Sequence, residues 1–125
     1  MTETEQQNIK VVEDFIQAWN DKNWDNIENL FAADVVYHNI PMAPLNGREA
    51  AMQMIRGMQP KEVDWQTLNI AANGNVVLTE RVDNFVMADD KQVSLPVMGT
   101  MELEAGKIIA WRDYFDLASF TGQMA

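Results

Sequence analysis

The sequence predicts an α+β domain, with helices first and a curved, mostly antiparallel mixed sheet after them. Three observations lead there. Apolar residues recur at three-and-four spacing before residue 60. From Asp64 onward the apolar period becomes two. Short turn sequences then separate the alternating runs, which is the pattern of a meander rather than of βαβ crossovers. Helices closing one side of such a sheet enclose a deep pocket wherever the inner face is not filled. At 125 residues the chain is most economically one domain, 1–125.

Over residues 5–20, Ile9, Val12, Phe15, Ile16 and Trp19 form one buried stripe of an amphipathic helix, ended by Asp21-Lys22-Asn23. A short second helix runs from Trp24 to Phe31, with Trp24, Ile27, Leu30 and Phe31 on one side. Trp19 and Trp24 read as core residues rather than ligand platforms. Val35–Ile40 reads as a strand closed by Pro41 and Pro44, with Val35, Tyr37 and Asn39 on one face and Val36, His38 and Ile40 on the other. A loop through Leu45-Asn46-Gly47 leads to a third helix, 47–58, which Pro60 forbids from continuing. Strands follow at 63–72, 75–87, 92–103 and 107–116, broken at Asn73-Gly74-Asn75, Asp89-Asp90-Lys91 and Ala105-Gly106.

Composition narrows the function. A net charge of −10 disfavours phosphate-rich nucleic acid and anionic membrane as partners. Zero cysteines exclude disulfides, thiolate nucleophiles and Cys-ligated metals, and a single histidine excludes a multi-His metal site within one chain. No apolar run is long enough to span a membrane, and the acidic start has no signal-peptide pattern, so a cytoplasmic protein without metal is expected. The nine methionines read as filler of irregular core space and pocket wall.

The informative residues are polar ones on apolar rows. In the last strand Asp113 shares a face with Ile109, Trp111 and Phe115, where an ionised carboxylate is expensive without compensation. In 75–87, Arg81 and Asp83 lie side by side on the row Val77, Thr79, Arg81, Asp83, Phe85, while Val76, Leu78, Glu80, Val82, Asn84 and Val86 read as the ordinary packing row. Taken alone, Arg81 and Asp83 could be a surface ion pair of little consequence. Together with Tyr37 and Asn39, the groups could line one pocket. A guanidinium could bridge both carboxylates, one neutral as an acid and one ionised as a base, with a phenol and an amide holding a water. Such a set adds water without a metal or a covalent nucleophile. His38 falls on the opposite face and has no catalytic part. Glu80, Arg112 and Asp116 read as salt-bridge residues on the sheet exterior, and Arg48 and Glu49 as solvated first-turn residues.

Nearly the whole chain resembles the limonene-1,2-epoxide hydrolases. The resemblance lies in Tyr37-His38-Asn39 with Pro41, in Thr79-Glu80-Arg81-Val82-Asp83, and in Trp111 to Asp116, three motifs in the right order. It implies the cone-shaped fold shared with nuclear transport factor 2 and ketosteroid isomerase, a homodimer, and no cofactor. It also implies roles: Asp113 as the base that deprotonates water, Tyr37 and Asn39 as the groups that position it, Asp83 as the acid on the epoxide oxygen, and Arg81 as the link between the aspartates that also binds the epoxide. The expected substrate is an apolar epoxide, cyclic ones included, with Phe85, Leu95, Val97, Phe115 and Met58 as the pocket wall. Two other readings remain open from sequence: an isomerase or cyclase of the ketosteroid isomerase or polyketide cyclase type, and a non-catalytic binder on the same fold.

Overall fold

The computed structural model describes residues 1–125, in the order α1 (Glu3–Asn20), α2 (Trp24–Leu30), β1 (Phe31–Asn39), β2 (Leu45–Asn46), α3 (Arg48–Met58), β3 (Glu62–Asn73), β4 (Val76–Val86), β5 (Gln92–Glu104), β6 (Lys107–Tyr114) and α4 (Leu117–Met124). The six strands form one mixed sheet of order β2-β1-β6-β5-β4-β3. Only β1 and β6 run parallel; every other pair is antiparallel. The α+β architecture expected from the change of period is therefore present. The sheet is open, with helices packed on its inner side.

Each helix has a local cause. α1 opens on a capping box in which Thr2 Oγ1 accepts from the Glu5 N–H and Glu5 Oε1 accepts from the Thr2 N–H. Its last residue, Asn20, exchanges two hydrogen bonds with the Trp65 backbone (2.7 and 3.1 Å), which pins the helix end to β3. Its stripe of Val12, Phe15, Ile16 and Trp19 is buried. Phe15 meets Trp111 edge-on at 4.9 Å, and Trp19 stacks on Trp65 at 4.4 Å. Burying one such side chain stabilises the fold by roughly 1.5–3 kcal/mol. Between β5 and β6, Ala105 and Gly106 both have positive φ (51° and 78°), the backbone of a two-residue hairpin.

Several expectations change. Phe31 starts β1 instead of ending α2, and Ile40 lies beyond the strand. Leu45 and Asn46 are a short strand paired with Tyr37 and Val36, not a loop. In β6 the register slips between Leu103↔Ile108 and Glu102↔Ala110, so Ile109 is the extra residue of a bulge. Ile108, not Ile109, therefore joins Trp111 and Asp113 in the interior. In β4 the row beginning at Val76 is the outward one, with Leu78 45% exposed, and the row of Val77, Thr79, Arg81 and Asp83 is buried. Hydrophobicity alone misjudged which row packs, because the polar residues satisfy one another inside. Asp116 makes no salt bridge; its carboxylate caps α4 by accepting from the Ala118 and Ser119 N–H groups, and α4 itself was not anticipated. Arg48 is half-buried and donates to the Phe31 carbonyl. Arg112 does pair with Glu102 at 2.6 Å, and Glu80 accepts from Asn69.

Candidate active site

The site is assembled on four strands by register. Thr79 on β4 stands opposite Gly99 on β5, which stands opposite Asp113 on β6; Asn39 on β1 is paired with Asp113, and Tyr37 with Trp111. Alternation carries Arg81 and Asp83 to the same inner face. Arg81, Asp83, Asp113 and Thr79 are each at most 4% exposed. Burial of that much charge is tolerable only if every group finds a partner.

They do. Arg81 Nε donates to Asp83 Oδ1 (3.0 Å) and Nη2 to Asp83 Oδ2 (2.9 Å). Nη2 also donates to Asp113 Oδ2 (2.8 Å), and Nη1 to Asp113 Oδ1 (3.3 Å) and Thr79 Oγ1 (3.0 Å). All five guanidinium hydrogens are thereby used. Trp111 Nε1 donates to Asp113 Oδ1 at 2.8 Å, the third donor to that carboxylate. The Arg81 guanidinium also lies 4.8 Å from the Trp65 ring centroid, within cation–π range.

Asp83 and Asp113, with Tyr37 and Asn39, reach a cavity of about 380 Å³. Phe85, Leu95, Val97, Phe115 and Met58 also line it, as do Trp19, Trp65, Met42, Ala43, Leu45, Met54 and Phe120. Thirteen of the sixteen lining residues are hydrophobic, so the carboxylates face an apolar chamber of small-molecule size. Trp19 thus has a double part, as core residue and as wall. Arg81 does not line the cavity. With no N–H left over, it links the carboxylates, and direct contact with a substrate would require one of these bonds to be exchanged. His38 stays outside the cluster, its Nε2 2.9 Å from the Met42 carbonyl oxygen.

Electrostatics separates the two acids from their surroundings. Burial raises Asp83 from 3.8 to about 6, against the hydrogen bonds and charge of Arg81 and with the charge of Asp113. Burial alone would lower Arg81, but the charges and hydrogen bonds of Asp113 and Asp83 more than offset this and hold it above its usual value. Burial, then the Asp113 charge, pushes the Tyr37 phenol well up, although the Asn39 side chain and Arg81 pull the other way. Tyr37 is therefore a neutral phenol at physiological pH, stacked at 4.0 Å on Trp111.

Three contributors were not singled out in sequence: Thr79, Trp111 as a hydrogen-bond donor, and Gly99. The first two stand on the same rows as Arg81 and Asp113, where alternation places them without revealing the hydrogen bonds they make. Gly99 acts by having no side chain, which only strand register reveals.

A family model described as the limonene-1,2-epoxide hydrolase catalytic domain matches residues 6–125. The chain is 32% identical over 107 residues to the epoxide hydrolase EphG of Mycobacterium tuberculosis, covering 85% of this chain and 71% of that protein. Its fold superposes on an M. tuberculosis LEH-like epoxide hydrolase with a TM-score of 0.85 at 30% identity, over 96% of this chain and 91% of that one. A putative polyketide cyclase from Xanthomonas campestris pv. campestris reaches a TM-score of 0.84 at 22% identity, over 98% and 99% of the two chains, a likeness of fold alone.

Proposed function

The chain belongs to the limonene-1,2-epoxide hydrolase family, and from that premise we propose that it converts an apolar, cyclic or terpene-like epoxide into a vicinal diol in one general acid/base step. Membership supports epoxide hydrolysis in general. The observation that carries the finer reading is one arginine joining two buried carboxylates, both of which reach the same apolar cavity.

The proposed step balances as follows. Asp113 takes a proton from a water held by Tyr37 and Asn39, and the water oxygen bonds to an epoxide carbon. The C–O bond of that carbon breaks, and Asp83 delivers its proton to the departing oxygen. Neither free hydroxide nor free alkoxide forms. Three N–H donors on Asp113 suit a carboxylate that begins the cycle charged, and burial of Asp83 suits an acid that begins it neutral. Turnover leaves Asp113 protonated and Asp83 ionised, so a proton returns through the Arg81-bridged pair or through water. No cofactor is called for. Proton abstraction from carbon by Asp113, as in an isomerase, would leave the double bridge of Arg81 without a task.

Asp113→Asn should retain the fold and lose roughly 10²–10⁴-fold in kcat on cyclohexene or limonene epoxide. Turnover in ¹⁸O-labelled water should place one solvent oxygen in the diol. Wild-type activity in the variant, or a product without solvent oxygen, would sink the mechanism. The same proposal takes the protein as a cytoplasmic homodimer; the exposed apolar residues on the outer sheet face fit a self-association surface.

A further inference from the structure

We propose that Gly99, with Thr79, is a positioning residue for the acid/base pair, the missing side chain at 99 being the gap through which Arg81 reaches across β5 to Asp113. This rests on the function proposed above. Arg81 stands on β4 and Asp113 on β6, so the guanidinium must cross the inner face of β5 to bridge them. Neighbouring strands lie about 4.8 Å apart, and two such spacings leave no room for a side chain between the partners.

The register puts Gly99 at the crossing, opposite Thr79 on one side and Asp113 on the other. A Cβ at this position would stand 2.4 Å from Arg81 Nη1, 2.6 Å from Asp113 Oδ1 and 3.0 Å from Thr79 Oγ1. The inner-face residues to either side, Val97 and Met101, are buried and carry full side chains, so the gap is one residue wide. Gly99 is not among the residues with positive φ, so alanine would meet no backbone strain there; the conflict is with the reacting groups themselves. Gly57 and Gly122, by contrast, have nothing within 4 Å of a built Cβ.

Thr79 closes the other side of the seat. Its hydroxyl donates to the Gly99 carbonyl (3.4 Å), which turns a lone pair toward Arg81 Nη1 (3.0 Å). Removing that acceptor leaves one buried N–H of Arg81 unpaired and the guanidinium free to tilt. The charged and titratable groups facing the seat are Arg81 and Asp83 from β4, Asp113 from β6 and Tyr37 from β1.

Gly99→Ala and Thr79→Val test this, with Gly57→Ala as the control. One readout uses no substrate: the ¹H–¹⁵N resonance of the Trp111 indole, whose Nε1–H is bonded to Asp113, followed from acid to neutral pH. In Gly99→Ala the resonance and its titration midpoint should move, and kcat should fall on the order of 10²-fold with KM changed by less than about three-fold. Thr79→Val should move both in the same direction, with a loss of roughly ten-fold in kcat. Gly57→Ala should leave resonance and kinetics at wild-type values. Folded Gly99→Ala and Thr79→Val proteins with an unmoved resonance and kcat within about two-fold of wild type would overturn the proposal. If Gly99→Ala does not fold, Thr79→Val decides alone, and wild-type behaviour in it is an overturning result. Should the parent turn over no epoxide, the indole titration still tests the seat, so the two failures stay distinct.

Discussion

At the scale of single residues, the site is a problem of one positive charge against two negative ones. With both carboxylates ionised, the buried Arg81, Asp83 and Asp113 cluster has a net charge of −1, and one retained proton brings it to zero. In the proposed mechanism that proton is carried by Asp83, whose value burial lifts to about 6. An acid must be protonated to act, so the sign follows: kcat/KM should decline as pH rises through about 6 in the free enzyme. Because the two carboxylates share one cation, the profile belongs to the pair and not to either residue alone. A kcat/KM profile that stays flat from pH 5 to 8 would exclude Asp83 as the donor. Trp111→Phe removes one donor from Asp113 while keeping an aromatic ring against Tyr37, and should reduce kcat by about ten-fold, as read in steady-state assays at neutral pH. Strand alternation made the five polar residues legible in the sequence, because period two places Tyr37 with Asn39 and Arg81 with Asp83 whatever the rest of the fold does. Gly99 was not legible, since a missing side chain leaves no mark until two neighbouring strands are set in register.

Among the elements, the first three helices and the four long strands can be read from periodicity, whereas the bulge in β6 cannot. Ile108 and Ile109 are interchangeable to a pattern argument, and only the slip against Leu103 decides which one turns inward. α4 had readable signals, a capping Asp116 before apolar residues at 117, 120 and 124, but its eight residues bury no side chain completely and so form a weak stripe. Its part lies in the cavity wall, where Phe120 stands at 6.3 Å from Phe115. It is held by its cap, by the exchange between Gln123 and the Ser94 backbone, and by Lys91 donating to the Met124 carbonyl. Loss of the cap should therefore loosen the wall before it loosens the chemistry. Asp116→Ala should destabilise α4 by about 1 kcal/mol, and faster hydrogen exchange at the 117–124 amides should report it. The kinetic counterpart is a KM raised several-fold with kcat nearly unchanged; a drop in kcat alone would instead tie Asp116 to the reaction itself.

For the whole molecule, the two faces of the sheet have opposite tasks. The inner face holds the cavity and is covered by helices; the outer face has none over it and shows Leu78, Met98 and Tyr114, with Met98 54% and Tyr114 47% exposed. Met98 is registered between Glu80 and Tyr114, so apolar and charged residues alternate across this face in a way that suits a partner with the same surface. In the homodimer we propose, two chains of net charge −10 must approach each other, and their long-range repulsion opposes the burial of these side chains. Salt should then strengthen the association: the dimer fraction seen by analytical ultracentrifugation at micromolar protein should rise between low and physiological ionic strength. Met98→Lys places a cation opposite Glu80, which spares the fold, and sets it in the middle of the buried patch, which does not spare the interface. The variant should sediment as a monomer at concentrations where the parent is dimeric, with unchanged far-UV circular dichroism. A parent that remains monomeric at every salt concentration would remove the outer face as an interface. A Met98→Lys protein that still dimerises would move the contact to another surface.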